Sequence, residues 1–115
     1  MRKLWVLVVA GLSLVSCGSE SLCEQIGNTL CKKACDCREG DGCAMTQDGF
    51  SITFDSESDC RLFLSGFGCS MGDKAAYNDA AACLPLVQAA MCTGAGAEGA
   101  LDYPADTACE TPQQP

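Results

Sequence analysis

Eleven cysteines in 115 residues leave this chain few ways to fold. Cysteine at that density in a short chain is the composition of a disulfide scaffold made for an oxidising compartment. The length holds one small domain. Its apolar residues are mostly alanine and small aliphatics, with four Phe, two Tyr and one Trp as the large ones. Ordering about a hundred residues costs on the order of 150 kcal/mol of conformational entropy. Crosslinks worth roughly 2–4 kcal/mol each therefore decide whether so light a core folds.

The same composition closes off several chemistries. Histidine is absent, which removes Ser-His-Asp and Cys-His catalysis, imidazole metal ligands and the usual physiological pH switch. Fifteen acidic residues face seven basic ones, for a net charge of −8. Nucleic-acid binding needs a basic surface to displace counterions, so no nucleic-acid partner is expected.

The N-terminal residues read as an address. Arg2 and Lys3 precede an uncharged, mostly apolar run from Leu4 to Val15. Twelve helical residues rise about 18 Å, short of a bilayer core of roughly 30 Å, so residues 1–16 read as a signal peptide. The run closes on Leu14-Val15-Ser16-Cys17, which resembles the lipobox of bacterial lipoproteins. That resemblance implies cleavage before Cys17, diacylglycerol on its thiol and acylation of the new amine. Gly18 at the next position implies, by the sorting rule of Gram-negative lipoproteins, an outer-membrane destination. Parity agrees, because removing Cys17 from an odd set of eleven cysteines leaves an even set for pairing. Residues 17–20 then form a lipidated tether, and the acyl chains rather than charge hold an anionic protein at the membrane.

Residues 21–109 form the cysteine-rich domain. Ser21 and Glu24 have capping-box spacing, and Leu22, Ile26, Leu30 and Ala34 recur every fourth position, predicting a helix over 22–35. Cys37 to Cys43 reads as a tight acidic loop. Asp48-Gly49 signals a hairpin over 44–54, with Phe50, Ile52 and Phe54 on its half-buried face. Ser56 and Asp59 offer caps for a short helix through Cys60 and Leu62 to Leu64, ended by Gly66 and Gly68. A third helical region runs from Asp73 to Ala90 and must kink or split at Pro85. Thr93 to Ala100 reads as a loop without core residues, and residues 110–115 as a disordered tail.

The expected fold is thus a small disulfide-rich α+β domain with about three short helical regions, one β-hairpin and five disulfides. The bridging set is Cys23, Cys31, Cys35, Cys37, Cys43, Cys60, Cys69, Cys83, Cys92 and Cys109. Pairing is open, but two cysteines nine apart on one helix sit about 13.5 Å apart, beyond disulfide reach. That argument separates Cys83 from Cys92, and similarly Cys23 from Cys31. Bridges between elements are favoured.

Three chemistries compete with a purely structural role. Cys31-x3-Cys35-x-Cys37-x5-Cys43 offers thiolates for zinc or copper(I), but not in the paired C-x2-C arrangement of structural zinc sites. No C-x-x-C is present, and Asp36 between Cys35 and Cys37 disfavours a reactive thiolate. Asp55, Glu57 and Asp59 alternate like the first ligands of an EF-hand, yet Cys60 and Gly66 stand where its glycine and last glutamate belong. Asp36, Glu39 and Asp41 make a second acidic cluster. Both clusters read as solvated faces and helix caps, with no metal site assigned.

Beyond the lipobox, the cysteine spacing in helices and the hairpin resemble small cysteine-rich lipoproteins of the myxobacterial type, a resemblance that brings no activity with it. The expected function is a non-catalytic, lipid-anchored cell-envelope protein with a structural or protein-binding role. Its partners would be the membrane, through the anchor, and another protein; it needs no cofactor beyond the lipid on Cys17. The alternative is a metal-ion-binding module, using the acidic clusters for calcium or the cysteines for zinc or copper. A disulfide-rich protease inhibitor or small enzyme comes third.

Overall fold

The computed structural model describes residues 20–112; Cys17, the segment 1–16 and residues 113–115 lie outside the described residues. Helix α1 (Leu22–Asp36) starts where the capping box places it. Ser21 Oγ accepts the Glu24 N–H, and the Glu24 carboxylate accepts the Ser21 N–H, both at 3.1 Å. Two of the four unpaired amides at the helix start are thereby satisfied. The fourfold spacing buries Ile26, Leu30 and Ala34 along one stripe, with Cys23, Gly27 and Cys31 along the next; Leu22, the first residue of the expected stripe, is only half-buried.

Strands β1 (Cys43–Gln47) and β2 (Phe50–Phe54) form the expected hairpin. Asp48 and Gly49 both take positive φ, 51° and 80°. This is the turn whose twist matches that of the strands, and it sets Met45 opposite Ile52 and Gln47 opposite Phe50. The half-buried face is not as expected. Phe50 is 80% exposed and Ile52 39%, and only Phe54 is partly covered. The reason is sheet position: β2 is an edge strand that little packs against, while β1 buries Cys43, Ala44 and Met45.

Helix α2 (Glu57–Arg61) uses Ser56 as its cap, Ser56 Oγ accepting the Asp59 N–H at 3.1 Å. It runs on into a π-helical turn, Leu62–Phe67. Gly66 lies inside that turn, so only Gly68 acts as the stop, its N–H donating to the Phe63 carbonyl at 2.8 Å. The third helical region divides, but not at the proline. Helix α3 (Asp73–Ala76) ends as Tyr77 turns extended and buries its ring; helix α4 (Ala80–Ala89) begins on an Asp79 cap. The break is held by the end of the chain, since Asn78 and Asp79 donate N–H groups to the Glu110 and Ala108 carbonyls. Pro85 stays inside α4. The Ala81 carbonyl it leaves unpaired lies on the exposed side, where water can satisfy it.

The predicted loop over 93–100 is a further correction. Cys92–Thr93 is strand β3 and Ala100–Asp102 is strand β4, with Leu101 fully buried. The sheet therefore has four strands in the order β2-β1-β4-β3, with β4 parallel to β1 and Leu101 beside Met45. The fold is a disulfide-rich α+β domain, with four α-helices among the described residues.

Five disulfides staple it: Cys23–Cys69, Cys31–Cys60, Cys35–Cys43, Cys37–Cys92 and Cys83–Cys109. None joins two cysteines of one helix. Three tie α1 to the hairpin and the α2 segment, one ties the end of α1 to β3, and one ties α4 to the C-terminal turn Thr107–Cys109. Six of the ten half-cystines are at most 2% exposed, so sulfur fills much of a core whose largest fully buried side chains are Ile26, Leu30, Leu101 and Val87.

Candidate functional site: an apolar groove

The π-helical turn and the hairpin's edge face each other across a groove. Leu62, Phe63 and Leu64 are consecutive, and one helix face cannot bury three consecutive side chains. Leu64 turns inward, while Leu62 and Phe63 stay 60% and 49% exposed and Phe67 69% exposed. Phe63 meets Phe54 of β2 at 5.7 Å between ring centroids, closing one wall. Two adjoining hollows share Leu64 and Tyr103 as floor. One, about 180 Å³, lies among Met45, Phe50 and Ile52; the other, about 440 Å³, lies among Phe63, Phe67 and Tyr77.

Tyr103 fixes the floor. Its N–H donates to the Thr46 carbonyl at 2.9 Å and its hydroxyl to the Cys109 carbonyl at 2.6 Å. Gln47 Nε2 donates to the Pro104 carbonyl at 3.0 Å and holds the next residue. Burial raises the Tyr103 phenol from its ordinary 10 to about 12, with Glu110 adding to the rise. Tyr77 is raised for the same first reason, and Tyr103 adds to it. Both rings are neutral at physiological pH, and the Tyr103 hydroxyl is held by the Cys109 carbonyl. No charged side chain lines either hollow. The groove can bury apolar surface and offers no activated nucleophile or general base.

The acidic residues fall elsewhere. Asp41 of one cluster and Asp55 and Glu57 of the other line a cleft of about 370 Å³ with Gly40, Gly42 and Ser56. Asp59 does not line it. Glu57 is held by Arg61 at 2.6 Å, and Asp36 by Lys32 at 3.5 Å. Among the described residues no three carboxylate or thiolate groups are placed to hold a metal ion. The cysteines of the zinc or copper reading are all in disulfides, so that chemistry would first require their reduction.

The sequence reading did not single out the groove. Its signals were the uninterrupted Leu62-Phe63-Leu64 run and an apolar strand, Phe50 to Phe54, without a second strand to cover it. Among the described residues no helix is long and apolar enough to cross a membrane. Comparison with known proteins finds no matching family model, no matching curated protein and no matching solved structure.

Proposed function

We propose that this chain is a non-catalytic, lipid-anchored cell-envelope protein with a structural or protein-binding role. The observation that carries the reading is the closed pairing of ten cysteines. It leaves Cys17 without a disulfide partner among the described residues, at the one position where the lipobox pattern calls for a modified thiol. The uncharged groove from Phe50 to Phe67 supports the binding role, because contiguous exposed apolar surface marks interaction sites. Gly18 supports an outer-membrane address.

The test is the intact mass of membrane-purified protein, with the Cys17→Ser variant fractionated beside it. A lipidated chain lacks residues 1–16, carries acyl mass and gains the mass of ten hydrogen atoms on reduction of five disulfides. Cys17→Ser should then leave the membrane fraction, since the tether offers no second anchor. Unchanged partition of that variant would sink the lipoprotein reading.

A further inference from the structure

Strand β2 reads nearly the same in both directions: Phe50-Ser51-Ile52-Thr53-Phe54. It is also the edge of the sheet, with its outer side unpaired among the described residues. Edges of this kind are normally protected by lysine, proline, a bulge or a covering element. This one carries no charge and no proline, and Phe50, Ser51, Ile52 and Thr53 are all exposed. We infer that β2 pairs antiparallel with β2 of a second copy of this chain, across a two-fold axis at Ile52.

The backbone fits that register. The two-residue turn makes Gln47–Phe50 a hydrogen-bonded pair, so alternation turns the amides of Phe50, Ile52 and Phe54 toward β1. The N–H and C=O groups of Ser51 and Thr53 point outward. With Ile52 on the axis, Ser51 of one chain lies opposite Thr53 of the other. Those are the residues whose free groups can exchange hydrogen bonds, and Ile52 meets Ile52 in the close, non-hydrogen-bonded position. Phe50 then lies opposite Phe54 on the groove face, and the hydroxyls of Ser51 and Thr53 meet on the other. Aromatic pairs and Ser–Thr pairs are both favourable across strands. The two sheets become one continuous eight-stranded sheet, and an isologous contact closes without further growth.

Charge opposes the contact. Asp48 and Asp55 flank β2, and the two-fold brings acids of both chains together at each end of the ladder. Association therefore strengthens as salt screens them. This inference stands apart from the lipid anchor and holds for the chain with or without it.

The experiment is sedimentation equilibrium of the purified full chain in density-matched detergent, with hydrogen exchange read by NMR across the same concentrations. The expected result is a monomer–dimer equilibrium that tightens with added salt. Protection of the Ser51 and Thr53 amides should rise with protein concentration, while the Met45 amide stays unchanged. Ile52→Lys places like charges on the axis, and Thr53→Pro removes an outward donor without touching a β1–β2 bond. Each should raise the dissociation constant about tenfold or more. A chain that stays monomeric at every concentration overturns the inference. So does a dimer in which Ser51 and Thr53 gain no protection, a result that needs no variant to fold.

Discussion

Asp73 Oδ1 accepts a hydrogen bond from the Cys23 N–H at 3.0 Å, across fifty positions of sequence. Asp73 is the first residue of α3, and Cys23 belongs to the first turn of α1. The carboxylate therefore caps a helix that is not its own, beside the Cys23–Cys69 disulfide that brings the two segments together. An anionic group at a helix N-terminus also suits the helix dipole.

Asp73→Ala should lower stability by about 1 kcal/mol, the ordinary worth of a side-chain cap. For a domain of this size that is a fall of roughly 4–8 °C in Tm. Asp73→Asn should recover most of the loss, because an amide oxygen still accepts. Equal losses for Ala and Asn would mean that the charge, not the hydrogen bond, matters.

Lys33 closes the opposite kind of helix end. Its ammonium donates to the carbonyls of Val87, Gln88 and Ala90 at the C-terminus of α4. Lys33→Met keeps the aliphatic stem and removes the donors, so about 1–2 kcal/mol should be lost. Denaturant midpoints at unchanged slope would show it.

Alkaline pH should destabilise the domain through its two tyrosines. Both phenols have a folded pKa above the unfolded value near 10, that of Tyr103 lying at about 12. Above pH 10 the unfolded chain therefore holds fewer protons than the folded one. The stability present at neutral pH falls as pH climbs from 10 toward 12, by up to about 1.4 kcal/mol per pH unit for each tyrosine. Phenolate absorbance of the folded protein should stay low at pH 10.5 and appear at once on unfolding. Half-ionised tyrosine in the folded state at that pH would contradict the burial.

Gly99 should not tolerate a side chain. Its Cβ would collide with the Cys37 carbonyl oxygen, next to the Cys37–Cys92 disulfide. Gly99→Ala should cost more than about 2 kcal/mol, as overpacking against fixed backbone does. Gly66→Ala is the control, since its Cβ would find only Leu62 Cδ1 at 3.5 Å.

Reduction should unfold the domain. The buried set is mostly half-cystine and small aliphatics, and the longest helix has fifteen residues, near the limit for isolated stability. Far-ultraviolet circular dichroism should lose its cooperative thermal transition in reductant at neutral pH. A reduced chain that melts cooperatively near the oxidised temperature would mean that packing alone suffices.

Elements governed by local chemistry were legible in the sequence. The α1 cap and stripe, the Asp48-Gly49 turn and the Ser56 cap all rest on residues within four positions of one another. Strands β3 and β4 were not legible. They are two and three residues long, and β4 gains its pairing from β1, more than fifty positions away. The split at Tyr77 was hidden for a similar reason, because the carbonyls that hold it come from Ala108 and Glu110. Alternation in β2 announced a strand but not what covers it. Coverage is a tertiary fact, and the exposed Phe50 and Phe67 followed from it.

Chain order bears on how the five bridges are made. Not one of them joins cysteines that are neighbours in the sequence: even the shortest, Cys35–Cys43, steps over Cys37, and Cys83–Cys109 steps over Cys92. If the chain crosses a membrane N-terminus first, Cys23 meets five other thiols, those of Cys31, Cys35, Cys37, Cys43 and Cys60, before its partner Cys69 emerges. An oxidase that joins sulfurs as they appear would produce only non-native bonds, and each would have to be undone by thiol–disulfide exchange. The yield of this fold should therefore depend on an isomerase rather than on oxidising power.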